Sequence, residues 1–200
     1  MDDQKAVVID TAQKDGQHER KHKGLQERGY KLILAPLPVG DYILVNDKVK
    51  DAIRRKYERR TAIKKLDLLG TYHTAVDTKK GMEEIYGNII GKQHARFRDE
   101  CILAQNNHIR LVVLVENSDN INTVQDVAKW KNERYIRWHR LNGLHKVGKC
   151  QGVKIPEKPP ANSVQLMKAM MTMQLKYDVE FQFCTPMEAG TRIAEILEGG

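Results

Sequence analysis

The segment Ile109-Arg110-Leu111-Val112-Val113-Leu114-Val115-Glu116 (IRLVVLVE, residues 109–116) is the most continuous apolar run of the sequence. It is short and rich in branched apolar residues, which favours a strand over a helix. Strands that are apolar on both faces are typical of parallel sheets covered by helices on both sides. The segment therefore predicts a central parallel strand of an α/β domain.

Strand-like and helix-like segments alternate on both sides of this run. Strands are predicted over residues 6–10, 31–34, 42–45, 72–79 and 179–183. Helices are predicted over residues 17–28, over residues 81–106 with a break near Gly91, and over residues 163–177, and a last helix runs to about residue 198. This alternation predicts an α/β fold with a central mixed β-sheet flanked by helices. The length of 200 residues suits one domain, residues 1–200.

Two basic segments interrupt the alternation: an insertion over about 48–72, interpreted as a helical or mobile excursion, and a polar loop over about 131–162. Lysine and arginine in such segments can neutralise phosphates, and Tyr135, Trp138 and His139 could stack on splayed bases. The alternative is that both segments are only solvated surface. The residues predicted to contact DNA are Lys48, Lys50, Arg54, Arg55, Arg59, Arg60, Arg134, Arg137 and Arg140.

The composition points to a polyanionic partner and a reducing compartment. The net charge is +8 and the pI is near 9.3, which favours nucleic acid. The cysteines, Cys101, Cys150 and Cys184, are odd in number and form no Cys-x-x-Cys pair, which argues against a zinc knuckle or a disulfide framework. The amino terminus is polar, and no apolar run approaches the ~20 residues of a membrane span. We therefore expect a soluble, cytoplasmic protein.

Two aspartates and a lysine suit the hydrolysis of a phosphodiester. A divalent cation such as Mg²⁺ or Mn²⁺ activates water and stabilises charge on the phosphate, and it prefers carboxylate oxygens. Asp77 and Lys79 stand two residues apart in a predicted strand, so their side chains project from one face. Asp41, at the start of the preceding strand, could supply the second acid. The sequence therefore predicts a metal held by Asp41 and Asp77, with Lys79 orienting water or neutralising developing charge.

The spacing of these residues is not specific by itself. In a chain with 30% charged residues such triplets arise by chance, as in Asp3-Gln4-Lys5, and the pair could be an incidental one on a strand edge. Glu19-Arg20-Lys21 is a competing triplet, but it precedes Gly40-Asp41 in helix-like sequence. Glu58-Arg59-Arg60 has the right order but ends in arginine. Context favours Asp77, which lies in strand-like sequence followed by a helix.

Motifs over about residues 6–130 resemble the XPF-type structure-specific nuclease family. Leu37 to Leu44 (LPVGDYIL) is similar to the segment that carries the family's Gly-Asp pair, and Ile9-Asp10-Thr11 is similar to its first strand. Asp77-Thr78-Lys79, followed after three residues by Glu83, resembles the family signature Glu-Arg-Lys-x3-Asp. The segment 94–98 (HARFR) resembles the family's next motif. The remainder is similar to small standalone versions from phages and bacteria.

The resemblance implies a restriction-endonuclease-like core of the PD-(D/E)xK superfamily and a metal-dependent endonuclease that cuts branched or flap DNA during repair or recombination. It implies that Asp41 and Asp77 bind Mg²⁺ or Mn²⁺, that Lys79 assists the attack, and that Asp10 and Glu83 support them. A phage-encoded member would act in the host cytoplasm. Relatives often add a helix-hairpin-helix module, and no such pattern occurs in this sequence. We therefore expect either a homodimer or binding through the basic segments alone.

The sequence departs from the family pattern at three places. Ala12-Gln13 stands where the family has Arg-Glu, Asp77-Thr78 stands where it has Glu-Arg, and the basic insertion lengthens the gap after Gly40-Asp41. The minimal set of two acids and a lysine is intact. One alternative is a catalytically weak or inactive DNA-binding scaffold of the same fold. Another is a non-enzymatic RNA-binding protein, which only the charge supports.

Overall fold

A six-stranded mixed sheet organises the protein, in a computed structural model that describes residues 5–13, 16, 18–149 and 152–199. The strands are β1 (Ala6–Asp10), β2 (Lys31–Ala35), β3 (Tyr42–Leu44), β4 (Thr74–Lys79), β5 (Arg110–Glu116) and β6 (Glu180–Cys184). Their order across the sheet is β2-β1-β3-β4-β5-β6. β3 runs antiparallel to β1 and β4, and the other neighbours are parallel. The predicted mixed sheet is thus confirmed. β5, predicted to be a central parallel strand, is parallel to both of its neighbours but lies second from the β6 edge of the sheet.

Helices cover both faces of the sheet. They are α1 (Glu19–Glu27), α2 (Asp47–Glu58), α3 (Met82–Ile89), α4 (His94–Asn106), α5 (Glu133–Lys146), α6 (Ser163–Tyr177) and α7 (Ala189–Leu197). Short 3-10 helices occupy Lys65–Leu68 and Gln125–Lys129. None of the helices in the described part of the chain is both long and apolar enough to span a bilayer.

Two apolar cores lie on opposite faces of the sheet because side chains alternate along each strand. Leu111, Val113 and Val115 of β5 point into the larger core, which the packed faces of α3, α4 and α6 complete. Val112 and Leu114 point the other way, against α1 and α7. Because β5 is buried on both faces, its sequence is continuously apolar instead of alternating, as residues 109–116 indicated.

Helices α1 and α7 approach closely because two glycines face each other. A Cβ atom on Gly24 would lie 3.1 Å from the Cα of Gly190, and one on Gly190 would lie 2.7 Å from the carbonyl oxygen of Lys21. A larger residue at either position would force the helices apart. The close contact holds α1 against the sheet, where Lys21 forms a buried ion pair with Glu116 at the end of β5.

The two basic segments are more regular than the sequence indicated. The insertion predicted over 48–72 begins with α2, whose cap Asn46 accepts a hydrogen bond from the Val49 amide at 2.9 Å. The segment predicted as a loop over 131–162 differs from that prediction, because it contains the 14-residue helix α5. None of the described α5 residues is buried, so the periodic apolar face by which a helix is recognised in sequence is missing. The cap Asn132, whose side chain accepts from the Arg134 and Tyr135 amides, is the signal that marks its start.

Candidate active site

The backbone around Asp41 is held between two strands. The amide of Asp10 donates to the carbonyl of Asp41 at 2.9 Å, and the amide of Asp41 donates to the carbonyl of Val76 at 2.8 Å. Asp41 therefore enters β3 with its position fixed by both β1 and β4. This arrangement places the Asp41 carboxylate next to the end of β4, where Asp77 and Lys79 lie.

Gly40 allows the close approach of this turn to β4. Its φ angle is +72°, a conformation that favours glycine. A Cβ atom at this position would lie 2.9 Å from the Cβ of Ala75 and 3.2 Å from the carbonyl oxygen of Val76. Any other residue would be strained in its backbone and would also push the turn away from β4. The Gly-Asp pair is therefore a geometric requirement for bringing Asp41 to the site.

Asp77 and Lys79 form a buried ion pair on one face of β4. The Nζ of Lys79 lies 2.8 Å from Oδ1 and 2.7 Å from Oδ2 of Asp77, and it donates a hydrogen bond to Oδ1. The two side chains are 6% and 9% exposed. The same ammonium lies 5.7 Å from the ring centroid of Phe97 on α4, within the range of a cation–π interaction. The pair thus sits between the sheet and α4, largely shielded from water.

Thr78 orients the Asp41 carboxylate. Oδ2 of Asp41 accepts a hydrogen bond from the Thr78 amide at 2.9 Å and a second from the Thr78 hydroxyl at 2.7 Å. Two donors on one oxygen leave the other oxygen of the carboxylate available for another ligand. The threonine that departs from the family signature therefore has a defined contact in this chain.

Glu100 of α4 is a site residue that the sequence reasoning missed. Its Oε1 accepts a hydrogen bond from the Gly40 amide at 2.9 Å. Its negative charge also acts on both Asp77 and Lys79. A signal was present in the sequence, because Glu100 follows the buried Phe97 by three residues and precedes the buried Ala104 by four. These spacings place an acid on the apolar face of the helix, where an acid is unusual.

The charges of the cluster shift the protonation of the ion pair. Burial raises the pKa of Asp77 above its usual range; Lys79 opposes this shift, while the negative charges of Asp41 and Glu100 add to it. Burial pulls the pKa of Lys79 down, but the charge and hydrogen bond of Asp77, with Asp41 and Glu100, outweigh burial and hold the pKa above its ordinary value. Lys79 is therefore an ammonium at neutral pH.

The cluster has the character of a cation site. Three carboxylates, Asp41, Asp77 and Glu100, act on a single ammonium group. Oδ2 of Asp77 is buried and accepts no hydrogen bond from the described residues. Within the described ranges, no three His, Cys, Asp or Glu side chains come together as a complete ligand cage. A small hard cation such as Mg²⁺ commonly uses only one or two carboxylates and fills its remaining positions with water and substrate phosphate, so the residues present fit such an ion.

Comparison with known protein families gives a single coherent result. Residues 9–195 match the ERCC4 domain, which covers nearly the whole chain. The chain belongs to the ERCC4 domain family. This is the XPF-type nuclease family, as the LPVGDYIL and Asp-x-Lys segments indicated.

A solved structure shows the same fold at low sequence identity. XPF from Aeropyrum pernix superposes with a TM-score of 0.52 and 14% identity, over 96% of this chain and 64% of that one. XPF from Aeropyrum pernix in complex with DNA gives a TM-score of 0.49 and 15% identity, over 96% of this chain and 63% of that one. The ERCC4 chain thus spans less than two thirds of the length of these structures. None of the curated proteins matches it.

Asp10 and Glu83, the two residues predicted to support the site, have other contacts in this ERCC4 domain. Asp10 is buried, and its Oδ1 accepts from the Leu37 amide at 3.0 Å, which braces the turn before Gly40-Asp41. Glu83 lies at the surface of α3 and accepts from Nε of Arg134 at 2.5 Å. The structure therefore brings Asp41, Asp77, Lys79 and Glu100 together. Asp10 instead holds the backbone of the turn before Asp41, and Glu83 contacts α5.

The two competing triplets have other surroundings. Lys21 of the first triplet is buried in its pair with Glu116. Glu58 of the second lies at the exposed end of α2, 3.9 Å from Nε of Arg54. Glu19-Arg20-Lys21 begins α1 and Glu58 is the last residue of α2, so neither triplet lies on a strand.

The residues predicted to contact DNA lie on two surface elements. Arg54 of α2 pairs with Asp51 at 2.9 Å, and Lys50 lies 3.7 Å from Asp47. Arg134 of α5 pairs with Glu83. All nine residues predicted to contact DNA are exposed, as phosphate contacts require: Lys48, Lys50, Arg54, Arg55, Arg59 and Arg60 in and after α2, and Arg134, Arg137 and Arg140 on α5.

Proposed function

We propose that this ERCC4 domain is a divalent-metal-dependent endonuclease that hydrolyses phosphodiester bonds in DNA. The observation that carries the proposal is the buried Asp77–Lys79 pair at the end of β4, with the Asp41 carboxylate oriented beside it by Thr78. A buried pair of this kind stabilises a fold poorly compared with apolar packing, because both charges lose their hydration. Its position at a strand end next to further carboxylates therefore favours a catalytic role.

Asp41 would hold the cation, Mg²⁺ or Mn²⁺, through Oδ1, the oxygen that Thr78 does not bond, and Asp77 would do so through Oδ2, which accepts no hydrogen bond although the Lys79 ammonium lies 2.7 Å from it. The bound ion would supply Lewis acidity toward the phosphate and lower the pKa of a bound water. Because Lys79 stays protonated, it acts as a hydrogen-bond donor and a positive charge and does not remove a proton. Its ammonium group would orient the attacking water and offset the charge that develops on the phosphate oxygens.

The substrate class follows from family membership and charge. The net charge of +8 and the two exposed basic elements, α2 and α5, favour a nucleic-acid polyanion. The XPF-type resemblance favours branched or flap DNA over a plain duplex. A homodimer is part of the same proposal, and it would double the basic surface available to a branched substrate.

A cleavage assay tests the proposed function. Purified protein is incubated with labelled duplex, flap and four-way-junction DNA in Mg²⁺, in Mn²⁺ and in EDTA. We expect cleavage of the flap or junction with at least one metal and none in EDTA. Binding of DNA without cleavage under every condition would instead identify a scaffold of the same fold. A preference for RNA without DNA binding would identify a non-enzymatic RNA-binding protein.

Glu100 provides a second test of the cluster. In Glu100→Gln the amide oxygen can still accept from Gly40, but the negative charge is gone. We expect cleavage at limiting metal to fall about tenfold, with recovery at high metal concentration, because one carboxylate fewer attracts the cation. The measurement is a titration of activity against Mg²⁺ and Mn²⁺. An unchanged metal dependence would mean that Glu100 acts only by holding the Gly40 turn.

A further inference from the structure

We propose that the cavity between α5 and the segment 153–160 binds an unpaired nucleobase of single-stranded DNA. The cavity has a volume of about 470 Å³, within the range of about 300–1,000 Å³ that small ligands occupy. The inference deepens the proposed function, on which it rests, by assigning selectivity for unpaired DNA to particular residues. It concerns a surface outside the Asp41–Asp77 cluster.

The floor of the cavity is apolar and carries an aromatic ring. Its apolar lining residues are Trp138, Leu141, Val153, Ile155, Pro156 and Pro160. The indole Nε1–H of Trp138 donates to the carbonyl of Pro156 at 2.8 Å, which fixes the ring relative to the opposite wall. A ring held in place loses little freedom when a base stacks on it. Stacking on an aromatic ring is the sequence-tolerant way in which proteins bind unpaired bases.

The rim of the cavity is positively charged. Arg134, Arg137, Lys154 and Lys158 also line it, and no acidic side chain does so among the residues that the structure describes. Phosphates flanking a bound base would meet these cations. An apolar floor with a cationic rim matches a nucleotide strand, which is apolar on the base faces and anionic along the backbone. Arg134 is already paired with Glu83, and a neutral hydrophobic ligand would gain nothing from the charges of Arg137, Lys154 and Lys158.

The cavity lies next to α3, the helix that follows the strand of the candidate active site. Arg134, on its rim, donates to Glu83, and its guanidinium lies 5.2 Å from the ring centroid of Tyr86. Both partners belong to α3, which begins at Met82, directly after the strand that carries Asp77 and Lys79. Glu83 follows Lys79 by four residues, so a base seated in the cavity would lie beside the helix that leads away from the candidate active site. In a duplex the bases are stacked and cannot enter, so the cavity selects an unpaired arm.

Trp138→Ala tests this proposal in EDTA, where no cleavage can occur. Binding of a labelled 12-nucleotide single strand and of a 12-base-pair duplex is measured by fluorescence anisotropy (lengths of about one helical turn). We expect the variant to bind the single strand about tenfold more weakly and the duplex unchanged, because only an unpaired base stacks on the indole. Trp138→Phe keeps a ring but loses the hydrogen bond to Pro156, and we expect it to retain most single-strand affinity.

Two controls make the test decisive. Tyr57 is an aromatic residue with 85% exposure on α2, outside the cavity, and Tyr57→Ala should leave the ratio of single-strand to duplex affinity unchanged. The wild-type protein should bind a single strand with abasic sites more weakly than an intact strand. Trp138→Ala should bind both strands with the same affinity. The proposal is overturned if Trp138→Ala binds the single strand as the wild type does, or if Trp138→Phe loses as much as Trp138→Ala. Because binding is measured without metal, its failure is separate from a failure to cleave.

Discussion

Asp77→Asn is expected to lower the rate of DNA cleavage by about 10³-fold while leaving the protein folded and able to bind DNA. The substitution removes the buried carboxylate that would hold the cation next to Lys79, and losses of this size follow when a charge-stabilising group is deleted from an active site. The side chain keeps its shape, and its oxygen can still accept from Lys79. Single-turnover cleavage of flap DNA, together with a thermal melt, measures both effects.

Asp77→Asn should also lower the stability, because the buried Lys79 ammonium then keeps only Asp41 and Glu100 as nearby negative charges. Burial raises the pKa of Asp77, so the charged form is disfavoured in the fold. A neutral amide removes that cost and offsets part of the loss.

The matched control for the cleavage assay is Asp178→Asn. Asp178 is exposed at the end of α6 with φ +56°, a conformation that asparagine tolerates. The control should cleave as the wild type does. Full activity in Asp77→Asn would show that the site lies elsewhere.

Lys21→Met is expected to destabilise the protein by about 3–5 kcal/mol. The ion pair of Lys21 and Glu116 is buried, with side chains 4% and 11% exposed, and it joins α1 to the end of β5. Without the lysine, Glu116 remains as an unpaired charge in the interior, which accounts for most of the loss. For a chain of this length the melting temperature should fall by roughly 10 °C in calorimetry.

The double variant Lys21→Met with Glu116→Gln identifies the origin of that loss. Removing both charges should restore most of the stability, because the uncompensated carboxylate is then gone. Lys23→Met serves as the comparison on the same helix. Lys23 lies 3.8 Å from Glu27 with both side chains largely exposed, and such pairs contribute at most about 1 kcal/mol. An equal effect of Lys21→Met and Lys23→Met would contradict a special role for the buried pair.

Regular elements with a clear apolar pattern were predictable from the sequence alone. Residues 109–116 contain β5 and residues 163–177 form α6, as predicted, because burial on one or two faces dictates the apolar periodicity of a strand or helix. Helix α5 was missed because none of its described residues is buried. A helix that contacts the protein mainly through polar and edge contacts leaves no such period in its sequence.

The candidate site was predictable only in part, for a related reason. Asp41, Asp77 and Lys79 were predicted as site residues because a strand fixes which neighbours share a face and because the family resemblance aligned them, and the structure brings the three together. Glu100 lies on α4, 21 residues beyond Lys79 in the sequence, and it reaches the turn at Gly40 only after α4 packs on the sheet. The helical spacing of Glu100 from Phe97 and Ala104 shows that it faces the core, but no spacing in the sequence predicts its hydrogen bond with Gly40.

Alternating strand-like and helix-like periodicity predicts the α/β class, and the two-residue period of a strand places an acid and a lysine on one face. Packing sets which further charges surround that pair: Glu100 joins it, whereas Glu83 pairs with Arg134. It also formed the cavity under Trp138, whose walls come from separate segments. The physical reason is that burial and electrostatic fields depend on distances in space, and packing sets those distances between residues that are far apart in the chain.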